Sequence, residues 1–302
     1  MSLSLEARFW RLFLKKIFKG QILSLAGSRK RESENARFMG RIPRGVKVER
    51  IDLDGTPAAW VCSENADREK VILHLHGGGY VLGSIDAYQM MCSSLAQRTG
   101  LKVLLPEYRL APEHPFPAAL EDAQKAYRWL LAEGYQPENI VISGDSAGGG
   151  LGVATVLALR SANVPLPATV VCISPWTNLT FTGQSHITRV QAEVLLRTDE
   201  LREWSIFYTG TQSPSNPLIS PVYADFHGFP PMLIQVGSDE ILLDDARLLA
   251  EKARADGVTV ELRVWDGMWH VWHALADLTP ESRAAFDEIA QFVQDRFEKP
   301  AK

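Results

Sequence analysis

Residues 139–160 read NIVISGDSAGGGLGVATVLALR, and the fold follows from how this stretch is parsed. Asn139 to Ser143 is a short run rich in β-branched residues, the pattern of a buried strand. From Gly149 to Arg160 the chain is rich in Ala, Leu and Val and reads as a helix. Between them Gly144-Asp145-Ser146-Ala147-Gly148 fits G-x-S-x-G. Strand, tight turn and helix together are the context of a nucleophile elbow. Such a turn strains the backbone at the serine and needs small residues two positions either side of it. Gly144 and Gly148 meet that need. The helix N-terminus behind Ser146 points backbone N–H groups and a partial positive charge at any oxyanion formed there.

Working outward, Val71 to Leu75 is a second buried-strand run, and it ends in His76-Gly77-Gly78-Gly79-Tyr80. Consecutive glycines after a strand allow close backbone approach and leave N–H groups exposed, so the loop can form the other half of an oxyanion hole. Downstream, the strand pattern Pro231 to Gly237 is followed by Ser238-Asp239-Glu240. The alternating strand Val258 to Trp265 is followed by Asp266-Gly267-Met268-Trp269-His270. The order serine, acid, histidine is the order of an elbow-type triad. All three stand after strands, at the carboxyl edge of a sheet, where open α/β folds build their sites.

Four stretches together make the chain resemble the hormone-sensitive-lipase family of α/β-hydrolase esterases. They are His76-Gly77-Gly78-Gly79, Tyr108-Arg109-Leu110-Ala111-Pro112-Glu113, Gly144-Asp145-Ser146-Ala147-Gly148-Gly149, and the loops of Asp239 and His270. They span most of the chain beyond its first several dozen residues. The resemblance implies a carboxylesterase with Ser146 as nucleophile, His270 as general base and Asp239 as the acid that orients it. It implies oxyanion donors at the backbone N–H groups of Gly78, Gly79 and Ala147. It also implies no cofactor, esters of short to medium acyl chain as substrates, and in many members a homodimer. Where many members read Asp-Pro-Leu-x-Asp, this chain reads Asp239-Glu240-Ile241-Leu242-Leu243-Asp244-Asp245. The departure leaves Glu240 and Asp244 as the alternatives to Asp239. His273 stands three residues after His270 at the start of a helical stretch and is read as a surface or packing histidine.

The 302 residues suit one large domain or a domain with a smaller cap. The net charge of −4 provides no basic field for nucleic acid. Cys62, Cys92 and Cys172 stand in apolar contexts and read as buried thiols, and no metal-ligand spacing appears. No apolar run approaches the roughly 20 residues that span a bilayer. Phe9 to Phe18 is interrupted by Arg11, Lys15 and Lys16, unlike a signal peptide, so the expected location is cytoplasmic.

Residues 3–19 read as a basic amphipathic helix. Arg8, Arg11, Lys15 and Lys19 form one stripe, and Phe9, Phe13 and Ile17 with Trp10 and Leu14 form the broad apolar face. The helix is expected to lie apolar face down over the core with its charges in water; docking at a membrane surface is the other reading. By the resemblance, residues 1–45 and an insertion over 178–221, with a helix near 191–208, form a cap on a hydrolase core of 46–177 and 222–302. Two strands within 46–63 and six more beyond residue 70 predict an eight-stranded, mostly parallel α/β sheet with helices on both faces. Tyr80, Trp204 and Phe207 follow or cover the catalytic loops and are the candidates for touching substrate. An Arg109–Glu113 pair is expected to brace the glycine loop.

Overall fold

Eight strands form one sheet in the order β1-β2-β4-β3-β5-β6-β7-β8. Their ranges are β1 Val46–Asp52, β2 Pro57–Ser63, β3 Asp67–Leu75, β4 Leu101–Pro106, β5 Ile140–Asp145, β6 Thr169–Ile173, β7 Met232–Gly237 and β8 Val260–Trp265. In this computed structural model, residues 3–18, 23–39 and 42–298 are described. Strand β2 runs antiparallel to both its neighbours, and every pairing from β4 to β8 is parallel. The central strands are apolar along their length because both faces are covered: every residue of β5, β6 and β7 is buried. At the edge, β8 is only half-covered and carries Glu261 and Arg263.

The helices separate into two layers. Helices α4 (Ala118–Ala132), α5 (Ala147–Ser161) and α8 (Leu243–Ala255) pack on one face, and α3 (Ile85–Thr99) and α9 (Pro280–Glu298) on the other. Helix α9 buries Ser282, Ala285, Phe286, Ile289 and Val293, the stripe that a 3.6-residue period predicts. Its start is capped as the sequence suggests, the Thr279 hydroxyl accepting from the Ser282 N–H at 3.1 Å. Each large apolar side chain buried this way contributes on the order of 1.5–3 kcal/mol relative to exposure.

Strand order explains where a site can form. The chain passes from β3 outward to β4, then returns across β3 to β5. The loops after β3 and β5 therefore leave the sheet side by side, with Leu75 in register with Gly144. A crevice opens where the winding reverses. Over this edge lie α1 (Leu5–Phe18), α2 (Leu25–Met39) and the long β6–β7 connection, which holds the short α6 (Ser185–Thr188) and α7 (Thr198–Thr209).

Two expectations about these covering segments change. The helix expected near 191–208 begins only at Thr198. The Glu193 carboxylate takes the N–H groups of Val194 and Leu195 at 2.7 and 2.9 Å, so these residues turn instead of continuing a helix. Helix α1 is rotated about its axis from its expected pose. Arg11 and Lys15 point inward and donate to the carbonyls of Gly267, Ala192 and Gln191. Phe9 and Phe13 face solvent, while Trp10 and Leu14 pack on the core. Lys19 lies outside the described residues.

Candidate active site

Ser146 adopts φ +52° and ψ −122°, between β5 and α5. Few L-residues tolerate such a backbone, and it persists only when the surroundings enforce it. Here they do. The Ser146 N–H donates to the Ile173 carbonyl at 2.8 Å, and its own carbonyl accepts from the N–H groups of Gly149 and Trp176. A Cβ at Gly148 would stand 2.0 Å from the Leu75 carbonyl oxygen, and one at Gly144 2.3 Å from the Gly148 oxygen. The two flanking glycines of the motif are thus steric requirements of the turn.

The N–H groups of Gly78, Gly79 and Ala147 have no acceptor among the described residues. The glycine loop that carries two of them is braced from beneath. Asp145, adjacent to the serine, accepts from the Gly77 N–H at 3.0 Å and the Tyr88 hydroxyl at 3.1 Å, with His74 Nε2 at 3.3 Å. Tyr108 donates to the His76 carbonyl at 2.7 Å and stacks on the His76 ring. Burial lowers the pKa of His76 to about 4, and the neutral ring donates from Nδ1 to the Gly77 carbonyl. The expected Arg109–Glu113 brace is not made. Arg109 pairs with Asp122 and Glu121, and Glu113 pairs with Arg29 of α2 at 2.6 Å. The Tyr108 segment therefore supports the loop through its tyrosine, and it ties down α2 through its glutamate.

The expected acid requires a correction. The carboxylate on His270 is that of Glu240, whose Oε2 accepts from Nδ1 at 2.9 Å. Glu240 is fully buried, and its Oε1 accepts from the Gly237 N–H at 2.6 Å and the Ser174 hydroxyl at 2.7 Å. Asp239 points the other way, to Arg11 of α1 at 2.5 Å, and its N–H donates to the Met268 carbonyl. Asp244 accepts from the Ser185 N–H. The physical reason is the turn after β7. Adjacent residues there face opposite sides, and only the longer glutamate has both the reach and the direction to meet the imidazole.

Because Nδ1–H is held by a carboxylate, the Nε2 of neutral His270 carries the lone pair. Burial opposes protonation of His270, but the Glu240 hydrogen bond and the charges of Glu240, Glu193 and Asp145 favour it; the net shift is upward from the ordinary value. Glu193 was not singled out by its sequence. It is fully buried, accepts the Ile241 N–H at 3.2 Å, and links the β6–β7 connection to the acid's own loop. Burial raises its pKa. His273 is a packing residue: buried, hydrogen-bonded to Gln235 at 2.8 Å, with its pKa lowered to about 3 by burial.

Ser146 and His270 line one cavity of about 340 Å³, together with Gly78 and Gly79. Its other walls are largely apolar, with Phe18 from α1, Arg31 from α2 and Leu201 and Trp204 from α7. The volume lies at the small end of ligand pockets. Trp204 lines this cavity, and a Cβ at Gly79 would lie 2.2 Å from its ring. Tyr80 and Phe207 do not line it. Tyr80 is buried and stacks on Tyr208 at 3.6 Å, and Phe207 packs against the same core. Of the three cysteines, Cys92 and Cys172 are buried and Cys62 is only half-buried. Among the described residues the one cluster with metal-ligand spacing is Asp225, His227 and Asp256 at the surface; Asp225 is hydrogen-bonded to His227, and Asp256 holds Lys252 and the Phe226 N–H. No described helix is long and apolar enough to cross a membrane.

The profile of the alpha/beta hydrolase fold matches residues 72–274. An acetyl-hydrolase of Streptomyces hygroscopicus is 46% identical over 237 residues, 78% of this chain and 79% of its own length. An esterase of Acinetobacter venetianus is 36% identical over 248 residues, 82% of each protein. The crystal structure of an esterase from the bacterial hormone-sensitive lipase family superposes with a TM-score of 0.94 at 41% identity, covering 98% of this chain and 100% of that one. The elbow, the glycine loop and the sheet order are features of one family: this chain belongs to the α/β-hydrolases, in the hormone-sensitive-lipase family of esterases.

Proposed function

We propose that this chain is a serine carboxylesterase that cleaves esters of short to medium acyl chain through an acyl-enzyme on Ser146. The observation that carries the reading is the orientation of His270. Glu240 holds its Nδ1–H, so Nε2 is the free base in the cavity that Ser146 also lines. In the reaction, the Ser146 Oγ–H proton passes to Nε2 as Oγ bonds to the ester carbonyl carbon. The carbonyl oxygen becomes an oxyanion held by the N–H groups of Gly78, Gly79 and Ala147. Each donor contributes on the order of 3–4 kcal/mol in the transition state. Collapse of the intermediate breaks the bond to the alcohol, which takes the proton from His270. Water then attacks the acyl carbon, gives its proton to His270 and releases the acid, and the proton returns to Ser146 Oγ. The Glu240 carboxylate stabilises the transient imidazolium.

The small, apolar cavity supports short to medium acyl chains. Residues 1–45 and 178–221 act in this reading as a cap on a core of 46–177 and 222–302, because side chains from both stretches wall the cavity. The relatives' names, acetyl-hydrolase and esterase, agree with the chemistry. The test is labelling with an organophosphate followed by peptide mass spectrometry, beside turnover of p-nitrophenyl esters of rising chain length. The expected adduct is on Ser146 alone, and Ser146→Ala should lose at least about a thousandfold in kcat. An adduct elsewhere, or turnover unchanged in Ser146→Ala, would refute the mechanism.

A further inference from the structure

Helix α1 is anchored on one side and bare on the other. Its inner side is held at several points: the Ser4 N–H and hydroxyl donate to the Glu281 carboxylate at 2.7 and 2.8 Å, and Arg11 reaches Gly267, Ala192 and Asp239. Trp10 and Leu14 pack against the cluster that contains Trp269 and Trp272. The outer side therefore has a fixed composition. Leu5, Phe9, Leu12 and Phe13 are 78%, 60%, 71% and 45% exposed. The Phe9 and Phe13 rings lie parallel, 6.0 Å apart. Arg8, Lys16 and the single acid Glu6 are exposed on the same side. On the inner side Arg11 and Lys15, both half-buried, hold loop carbonyls, and Leu5, Phe9, Leu12 and Phe13 stay outside.

We propose that this face of α1 docks the protein on an anionic lipid surface, beside the mouth of the cavity whose wall includes Phe18 at the end of the same helix. Charge decides the occupant. An apolar stripe with two cations matches an interfacial helix, whose rings sit at headgroup depth while its cations meet anionic headgroups. The net charge of −4 gives the whole molecule no attraction to anionic lipid, so binding must come from this local face. Seating on the lipid requires no membrane-spanning segment and no reading of Ser146.

The test is flotation of the full chain with phosphatidylcholine vesicles, with and without phosphatidylglycerol. The protein should float with the anionic vesicles, and much less with the neutral ones. Arg8→Gln with Lys16→Gln should weaken partitioning roughly thirtyfold. Phe9→Ser with Phe13→Ser should abolish it, with circular dichroism and p-nitrophenyl acetate turnover unchanged in both variants. The proposal is overturned if the unaltered protein stays with the lipid-free fraction, or if the phenylalanine variant floats equally well. It is also overturned if light scattering shows that those phenylalanines only hold a dimer together. Because flotation does not read activity, failure here leaves the esterase mechanism untouched, and failure of that mechanism leaves this result intact.

Discussion

At the residue scale, one position of register separates Asp239 from Glu240 and gives them different partners. Asp239 clamps α1 through Arg11, whereas Glu240 holds His270. Glu240→Gln should lower kcat by roughly three to four orders of magnitude, as loss of the orienting acid does in other triads. Asp239→Asn should change it only a few-fold, and steady-state kinetics of the pair decides. The pH profile follows from the same contacts. In the proposed mechanism His270 acts as a base only when neutral, so kcat/KM should fall as pH drops through its pKa. Since that pKa is raised, the acid limb should have its midpoint above the ordinary histidine value of about 6.5. In Glu240→Gln the residual activity should show the limb moved to lower pH, because the favourable charge is gone. A limb unmoved in that variant would remove Glu240 from the mechanism.

Helix α7 and its approach carry the effect at the scale of elements. Trp204 presses its ring to the glycine loop, and Leu201 lines the cavity beside it. This packing shapes the space for the ester without touching proton transfer. Trp204→Ala should therefore raise KM for butyrate and hexanoate esters of p-nitrophenol more than for acetate, with kcat for acetate within about threefold. Equal losses across all chain lengths would mean that Trp204 supports the oxyanion loop and does not select the substrate. The expected helix near 191–208 was misplaced for a local reason. Leu195, Leu196 and Leu201 have helical apolar spacing, but the buried Glu193 side chain competes for the N–H groups that a helix start would use. No period in the sequence announces that competition.

For the molecule as a whole, two buried histidines whose pKa is lowered make stability depend on pH. His76 and His273 have folded pKa values lowered to about 4 and about 3, against about 6.5 unfolded. Between those limits the unfolded chain binds protons that the folded chain refuses, so folding weakens as pH falls below 6.5. At pH 5 each histidine costs on the order of 2 kcal/mol. His270 shifts the other way: its stabilisation is present below 6.5 and lost as pH rises through its raised value. Thermal melting at pH 7 and pH 5 should show a lower Tm at pH 5, and His273→Asn should flatten the dependence. A Tm that rises on acidification would contradict buried neutral rings at both places.

What the chain declares on its own is whatever short-range sterics and periodicity control. G-x-S-x-G between a β-branched run and an alanine-rich helix has few three-dimensional solutions, because Gly144 and Gly148 are forced by a clash with backbone four residues away or on the adjacent strand. Continuous apolar strands, the Thr279 cap and eight strand patterns are of the same kind, and they specify the sheet. Tertiary structure decided what depends on direction. Which of two adjacent carboxylates faces His270 depends on the turn after β7, where the Gly237 N–H holds Glu240, and on Ser174 arriving from the end of β6. Arg109 chose Asp122 over Glu113, and Tyr80 turned into the core to stack on Tyr208, because those partners came within reach only on packing. The side of α1 that lies inward is of this kind too. An amphipathic period says that a helix has two faces, but Gly267, Ala192 and Asp239, brought together by the folded core, decide which face is held.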